Sequence, residues 1–330
     1  MRLTDETAEL YQPFKDALTP AYNAIVASAL MANPDAERIL DLCCGLGEPA
    51  CSLARAYPAS TVTCSDISAA MVERAMTSAA KQAVRLDGVV MEMDNLAPIE
   101  SSSQDIVTIS FGLMYTTDHS RVLREVLRVL KPGGMLIATV WSTFSLVPLV
   151  TAAMAEVIQT IQAANAPAAP STTKLRDAVE PIPPNVRLGP PIDPLSLADS
   201  KATDVLLASV GFMPMMGHNA SGEMKVDLGQ AFGRKTWKFG CTPVYGTLCA
   251  MQEEENRKEK KRQQDVFKHA KTSFDKAAIP YVARGRVVLP ASEFRCLVVV
   301  KPVNCCTTSS WAVDRLVARC LARPLQQGLP

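Results

Sequence analysis

Asp41-Leu42-Cys43-Cys44-Gly45-Leu46-Gly47-Glu48-Pro49-Ala50 sets a carboxylate, two glycines and a small residue where a short apolar run gives way to an Ala/Leu-rich helical stretch. Glycines at such a turn let a ligand approach the backbone, and the helix that follows offers N–H groups with no partner inside the helix. Taken alone, Gly45-x-Gly47-x-x-Ala50 also matches the dinucleotide fingerprint, so the glycines do not choose a ligand. Asp41 does: a carboxylate just before the turn suits a cationic amino-acid sulfonium and repels a pyrophosphate.

Outward from this turn the chain alternates in a regular way. Upstream, Tyr11 to Leu30 has apolar residues at helical spacing, and Asn33-Pro34 separates it from the strand run ILDLCC, Ile39 to Cys44. Downstream, STVTCSD (Ser60 to Asp66) reads as a second strand, with Ser68 placed to cap a helix through Met71, Val72 and Met76. Val89 to Met91 and Asp105 to Phe111 read as a third and a fourth strand. A helix from Arg121 to Leu130 follows, capped by Asp118 or Ser120 and stopped by Lys131-Pro132-Gly133-Gly134, and then a fifth strand from Met135 to Trp141. Strands alternating with helices at this spacing predict an α/β fold with a parallel sheet covered on both faces. The rhythm breaks over the Pro- and Ala-rich Ala166 to Pro194. It resumes with a helix from Asp199 to Val210 closed by Gly211, a sixth strand within Phe212 to Val226, and a closing hairpin strand within Gly285 to Pro302.

The 330 residues are 48% hydrophobic and 20% charged, with a net charge of +1, so a buried core is expected and no phosphate backbone or anionic membrane is called for. The mixed charges of Glu253 to Gln264 read as a solvated helix, not a nucleic-acid patch. The most apolar window, Met135 to Val150, is interrupted by Thr139, Ser142, Thr143, Ser145 and Pro148, and reads as a buried strand with its exit loop. No integral membrane segment is expected, and no targeting segment is recognised in the acidic first residues. Ten cysteines without zinc-site spacing point to reduced thiols, so a cytoplasmic setting and no metal are the expectations. No His, Lys or Arg neighbours Cys43 or Cys44 in sequence to activate them, and a core or turn role is expected for both.

Carboxylates recur at the strand ends. Asp66 is placed to accept from two ribose hydroxyls, and Asp94-Asn95 can read an adenine amine or form a plain turn pair. Tyr115 and His119 follow the fourth strand, where either could remove or steer an acceptor's proton; His119 also reads as a helix-start residue. Met213, Met215, Met216, Phe232, Trp237 and Phe239 hint at an apolar acceptor, or are core.

In order, ILDLCCGLGEPA, VTCSDIS, MEMDNLAP, DIVTISFGLMYTTD and LREVLRVLKPGG resemble the class I S-adenosylmethionine-dependent methyltransferases. The likeness is to those similar to the ubiquinone/menaquinone biosynthesis C-methyltransferases. It runs from about Tyr11 to Trp141, with weaker echoes (LLASVGF, GRVVLPASEFRCLVVVKP) to about Pro302. It implies a Rossmann-like, doubly wound, mostly parallel seven-stranded sheet with helices on both faces, and S-adenosyl-L-methionine as cofactor. By resemblance, Asp41, Gly45 and Gly47 line the methionine moiety, Asp66 and Ile67 the ribose and adenine, Asp94 and Asn95 the adenine, and Ser110 and Phe111 the methyl-donor side, with Cys43 and Met71 also expected among the cofactor-binding residues. The family usually has Gly where this chain has Cys43, a small side chain expected to leave cofactor binding intact. The implied organisation is a methyltransferase domain over 1–303, with lid or substrate-pocket insertions at 142–197 and 228–281, and a tail over 304–330. The tail holds Arg315, Arg319 and Arg323 at spacing four and reads as a short helix docked on its own domain, a membrane-surface helix, or disordered chain. The implied reaction is methyl transfer to a small organic acceptor, lipophilic if the Met and aromatic residues line it. A catalytically silent binding protein and an NAD-dependent oxidoreductase are the alternatives.

Overall fold

Aliphatic runs too short for helices pair into a sheet, and the stretches between them, apolar every third or fourth residue, cover it. The computed structural model describes residues 15–165, 194–215, 220–225, 227–230, 251–252, 255–256 and 265–303. β1 (Arg38–Leu42), β2 (Thr61–Asp66), β3 (Asp87–Val90), β4 (Gln104–Ser110) and β5 (Leu130–Thr143) are parallel; β11 (Ser292–Val300) closes the sheet antiparallel to β5. The strand order is β3-β2-β1-β4-β5-β11-β6, with β6 (Met213–Pro214) at the end. Strand order reverses at β1, between β2 and β4, and such a switch point opens a crevice beyond the strands' C-terminal ends.

The sheet has eight strands where seven were expected, because the stretch read as one sixth strand supplies two. β6 pairs with Val299 and Val300, while β7 (Ala220–Met224) pairs with Ser292 to Cys296 further back along the same edge of β11. The closing hairpin is also corrected. β10 (Arg286–Val288) does not turn back onto β11; it joins β8 (Asp227–Gln230) and β9 (Val282–Ala283) in a separate three-stranded sheet. Pro290, between β10 and β11, has no N–H to give to a ladder. Lys131-Pro132-Gly133-Gly134 ends the preceding helix as expected but lies within β5, which begins at Leu130.

The helices start where small polar side chains take up free amides. Ser68 caps α3 (Ala69–Lys81), Asp118 rather than Ser120 caps α4 (His119–Val129), and Asp199 caps α6 (Ser200–Val210), which Gly211 ends in the left-handed region. α1 (Thr19–Ala32), α2 (Ala50–Ala56) and α3 cover one face of the sheet, with Ile25, Leu53 and Ala75 against Ile39, Ile106 and Ile137. α4 and α6 cover the other, with Val122, Val126 and Leu207 against Leu40, Val107 and Leu136. A third apolar cluster joins α5 (Leu146–Asn165) and α7 (Val266–Ala278) to Phe111, Trp141 and Phe294 beyond the strand tips. Expectations on 1–14, 166–193, 216–219, 226, 231–250, most of 253–264 and the tail fall outside the described residues; these include Met216, Phe232, Trp237 and Phe239.

Candidate active site

Parallel pairing places Asp41 beside Cys64 of β2 and Thr108 of β4, on the sheet face covered by α1 and α2. The Asp41 side chain is fully buried. Its Oδ1 accepts from the Thr108 hydroxyl at 2.5 Å, and its Oδ2 has no hydrogen-bond partner among the described residues. Burial pushes this carboxyl up to about 7, the charges of Glu48 and Asp66 push the same way, and the Thr108 hydroxyl pulls back. The Ala50 backbone amide also lowers it. A buried carboxylate with an unused oxygen favours the approach of a cation.

The turn after β1 runs through left-handed conformations at Cys43 (φ 57°), Gly45 (φ 50°) and Gly47 (φ 96°). Asp66, the last residue of β2, ties it to the next helix: Oδ2 accepts from the Gly45 amide at 3.1 Å and Oδ1 from the Ser68 amide at 2.9 Å. Burial raises the Asp66 carboxyl, and the amides of Ser68, Gly45 and Ile67 offset part of that rise. Each carboxylate oxygen has a further lone pair for a ligand hydroxyl. Ile67, beside it, is 56% exposed, an apolar surface at the rim of the turn. Met71 is fully buried in α3, and what it offers Ser68 is its backbone amide.

Cys43 fits its strained position by close contact. Its Sγ lies 3.5 Å from Met93 Sδ, and a Cβ added to Gly112 would stand 2.8 Å from Cys43 Cβ and 2.9 Å from its Sγ. Only glycine leaves room at 112 for the cysteine. Burial, with the charges of Asp66 and Asp41, pushes the Cys43 thiol far up, so it stays protonated and unreactive. The described cysteines are all free, and no group of residues among those described could hold a metal ion.

Asp41, the glycine turn and Asp66 thus form one connected unit, and Asp94 is engaged elsewhere. Its Oδ2 lies 3.5 Å from Arg121 Nε, and that same Nε donates to the Asp94 carbonyl. With Asn95 it lines an open groove of about 600 Å³ whose other wall, from α4, carries Arg121, Arg124 and Arg128. At the β4 end the Ser110 and Thr139 hydroxyls are 3.1 Å apart, and Phe111 (φ 52°) takes up the Thr139 carbonyl through its amide. Tyr115 ends a short turn, Leu113–Tyr115, and His119 begins α4 with Nε2 3.3 Å from Ser196 Oγ. Both stand on the strand-tip side of β4. Sequence reasoning missed Thr108, which alternation along β4 could have matched to Asp41. It also missed Glu48, which Ser52 holds through its amide and hydroxyl near the buried carboxyl.

A family model described as a methyltransferase domain matches residues 39–134, the span from β1 into β5 that contains the whole turn. Over that span the chain is similar to a methyltransferase domain. It is 39% identical over 101 residues to the demethylmenaquinone methyltransferase of Leptospira interrogans, covering 30% of this chain and 41% of that protein. It is also 39% identical over 104 residues to the enzyme of the same name from Lactococcus lactis, covering 30% and 40%. The chain spans about two fifths of the length of these curated relatives. Among solved structures, the YcgJ protein of Bacillus subtilis is 16% identical, with 85% of this chain and 98% of that one covered at a TM-score of 0.43.

Proposed function

We propose that this protein transfers a methyl group from S-adenosyl-L-methionine to a small, apolar organic acceptor. The observation that carries the reading is the Oδ2 of Asp41, a carboxyl oxygen with no partner among the described residues, buried beside a glycine turn and suited to a cationic amino-acid end. Asp41, Cys43, Gly45 and Gly47 would hold that end. Asp66 would take ribose hydroxyls through its spare lone pairs, and Ile67 would cover one side of the base. Asp94 and Asn95 would read the adenine edge, with Arg121 holding Asp94 in place. The cofactor, when bound, supplies an activated methyl on sulfur, so the chain's own work is to orient the two partners and exclude water.

Ser110 and Phe111 would face the donor. The regions 142–197 and 228–281, which contribute α5 and α7, would wall the acceptor pocket with the apolar cluster around Phe274 and Phe294. Tyr115 and His119 would steer an acceptor proton where one must leave. No nucleic-acid partner is proposed, and no helix among the described residues is long and apolar enough to cross a membrane. A cytoplasmic setting fits the free thiols.

Titration calorimetry with S-adenosylhomocysteine checks this: saturable binding that Asp66→Ala weakens by about a hundredfold, by loss of charge-assisted bonds, is the expected result. Heat from NADH with none from S-adenosylhomocysteine would reverse the reading in favour of an oxidoreductase. Binding without transfer to any acceptor would favour the silent alternative.

A further inference from the structure

β1 and β4 run side by side, so alternation along each decides which side chains share a face. Ile39 and Asp41 of β1, Ile106 and Thr108 of β4 and Ile137 of β5 share the face covered by α1 and α2, and Asp41 stands opposite Thr108 across the pair. Both residues are fully buried. Thr108 thus carries a hydroxyl into an aliphatic layer, where valine would fill the same space with no polar atom to satisfy. The described hydrogen bond of that hydroxyl is its donation to Asp41 Oδ1 at 2.5 Å.

That bond fixes more than one atom. A threonine is stiff about its first side-chain torsion, whereas a carboxyl group turns easily about its last. The β4 backbone therefore sets the direction of the hydroxyl, and the plane of the carboxyl group follows it. With Oδ1 engaged, Oδ2 is the oxygen that has no partner among the described residues. The glycine turn that follows Asp41 is open on one side, since a Cβ added to Gly45 would meet nothing within 4 Å.

The same bond bears on charge. Burial, Glu48 of the turn and Asp66 of β2 all oppose ionisation of Asp41. The Tyr22 phenol of α1 is pushed far up by burial and by the charges of Glu48 and Asp41, so it stays protonated. The Cys43 thiol is pushed far up by burial and by Asp66 and Asp41; the Cys44 thiol is pushed well up by its bond to Cys64, the residue that flanks Asp41 on β2, and by burial. None of these groups is a cation. Thr108 is the one side chain among them that favours the carboxylate, because a donor to a charged oxygen stabilises the charged form. A carboxyl held at about 7 divides evenly between its two forms in neutral solution, so a single such bond tips it.

We infer that Thr108 is a positioning residue for cation recognition: through Oδ1 it sets the plane and the charge of the Asp41 carboxyl, and so prepares Oδ2 to receive an ammonium group. The inference rests on the reading that Asp41 meets the amino-acid end of S-adenosyl-L-methionine, and it adds the side chain that makes Asp41 fit for that task.

Wild type, Thr108→Val and Thr108→Ser test it as full chains carrying ¹³C at the aspartate carboxyl groups, with the Asp41 resonance assigned through Asp41→Asn. Thr108→Val should raise the midpoint of the Asp41 titration by about one pH unit, the scale of one hydrogen bond to a charged group. Thr108→Ser retains the hydroxyl and should titrate close to wild type. A midpoint raised that far from about 7 cuts the ionised fraction in neutral solution about fivefold, and affinity for S-adenosylhomocysteine should fall about fivefold in Thr108→Val and hold in Thr108→Ser. An Asp41 midpoint unchanged by Thr108→Val overturns the inference, as does one that Thr108→Ser moves just as far; if Thr108→Val does not fold, Thr108→Ala takes its place. Where the midpoint moves as expected and the affinity does not follow it, Thr108 still sets Asp41 and the cofactor reading alone fails.

Discussion

At the β1–β2 edge the polar side chains near the turn are tied by hydrogen bonds, Asp41 to Thr108, Asp66 to the Gly45 and Ser68 amides and Glu48 to Ser52, with Asp41 Oδ2 left without a partner among the described residues. At the far end of the same sheet face, stacked rings and aliphatic side chains fill the space, and the Trp141 indole N–H has no partner among the described residues. The difference separates two tasks. An unchanging ligand is met by fixed carboxylates and backbone amides, which specify position atom by atom. Apolar volume, which many side chains can supply, specifies shape and not individual atoms.

The largest effect that can break this division is expected at the apolar end. Phe294 is buried at 2% exposure, edge-on to Phe111 and against Gly222, so Phe294→Ala should cost about 3–5 kcal/mol in urea unfolding through the cavity it leaves. If the two regions are separable, S-adenosylhomocysteine should still bind the folded fraction with nearly wild-type affinity, and a parallel collapse of that affinity would show them to be one unit. Gly112→Ala comes next, at about 1–3 kcal/mol for overpacking, because its Cβ would meet Cys43 Cβ, Cys43 Sγ and Ile109 Cγ2 inside 3 Å. Adding Cys43→Gly should return a good part of that loss, leaving only the Ile109 contact. A double-mutant cycle with no coupling would refute the pairing of the two positions.

The turn and the strands around it were legible because their chemistry is tied to residue type at fixed spacing. Asp41, Gly45, Gly47 and Asp66 each sit where a backbone conformation or a hydrogen bond admits few alternatives. Ser68, Asp118 and Asp199 were legible as caps for the same local reason, although Ser120 competed with Asp118 until the Arg121 amide was seen to choose. Long-range pairing was not legible. Nothing local says that Phe212 to Met224 yields two strands on one edge of β11, or that Arg286–Val288 joins a different sheet. Asp94 shows the limit at the site itself, since its position after β3 was readable and its engagement with an arginine from α4 was not. Trp141 and Thr108 depend on strand register, which emerges only when β1, β4 and β5 are aligned.

Asp41→Asn tests the polar edge through pH. The folded protein raises this carboxyl from 3.8 to about 7, so the native state holds its proton more tightly than the unfolded chain. The stability it contributes is therefore present below the unfolded value and lost as pH rises through about 7, and Asp41→Asn should flatten the pH dependence of unfolding across that window. A cationic ligand group acts in the opposite sense. Wild-type affinity for S-adenosylhomocysteine should rise from pH 6 to pH 8, while Asp41→Asn should bind about tenfold more weakly at the upper end with no such rise. A wild-type affinity flat across that range would show that the cation does not meet Asp41.

Ser68→Ala should have the smallest effect and gives the finest cut between holding the fold and holding the ligand. The hydroxyl caps α3 by accepting from the Met71 amide at 3.4 Å, so its loss should cost about 1 kcal/mol of stability in urea unfolding. What Asp66 uses is the Ser68 backbone N–H, which alanine retains. Affinity for S-adenosylhomocysteine should then stay close to wild type while stability falls. Were affinity to drop with the cap, the orientation of Asp66 would depend on how α3 begins, and the turn could no longer be treated as set by its own two backbone bonds.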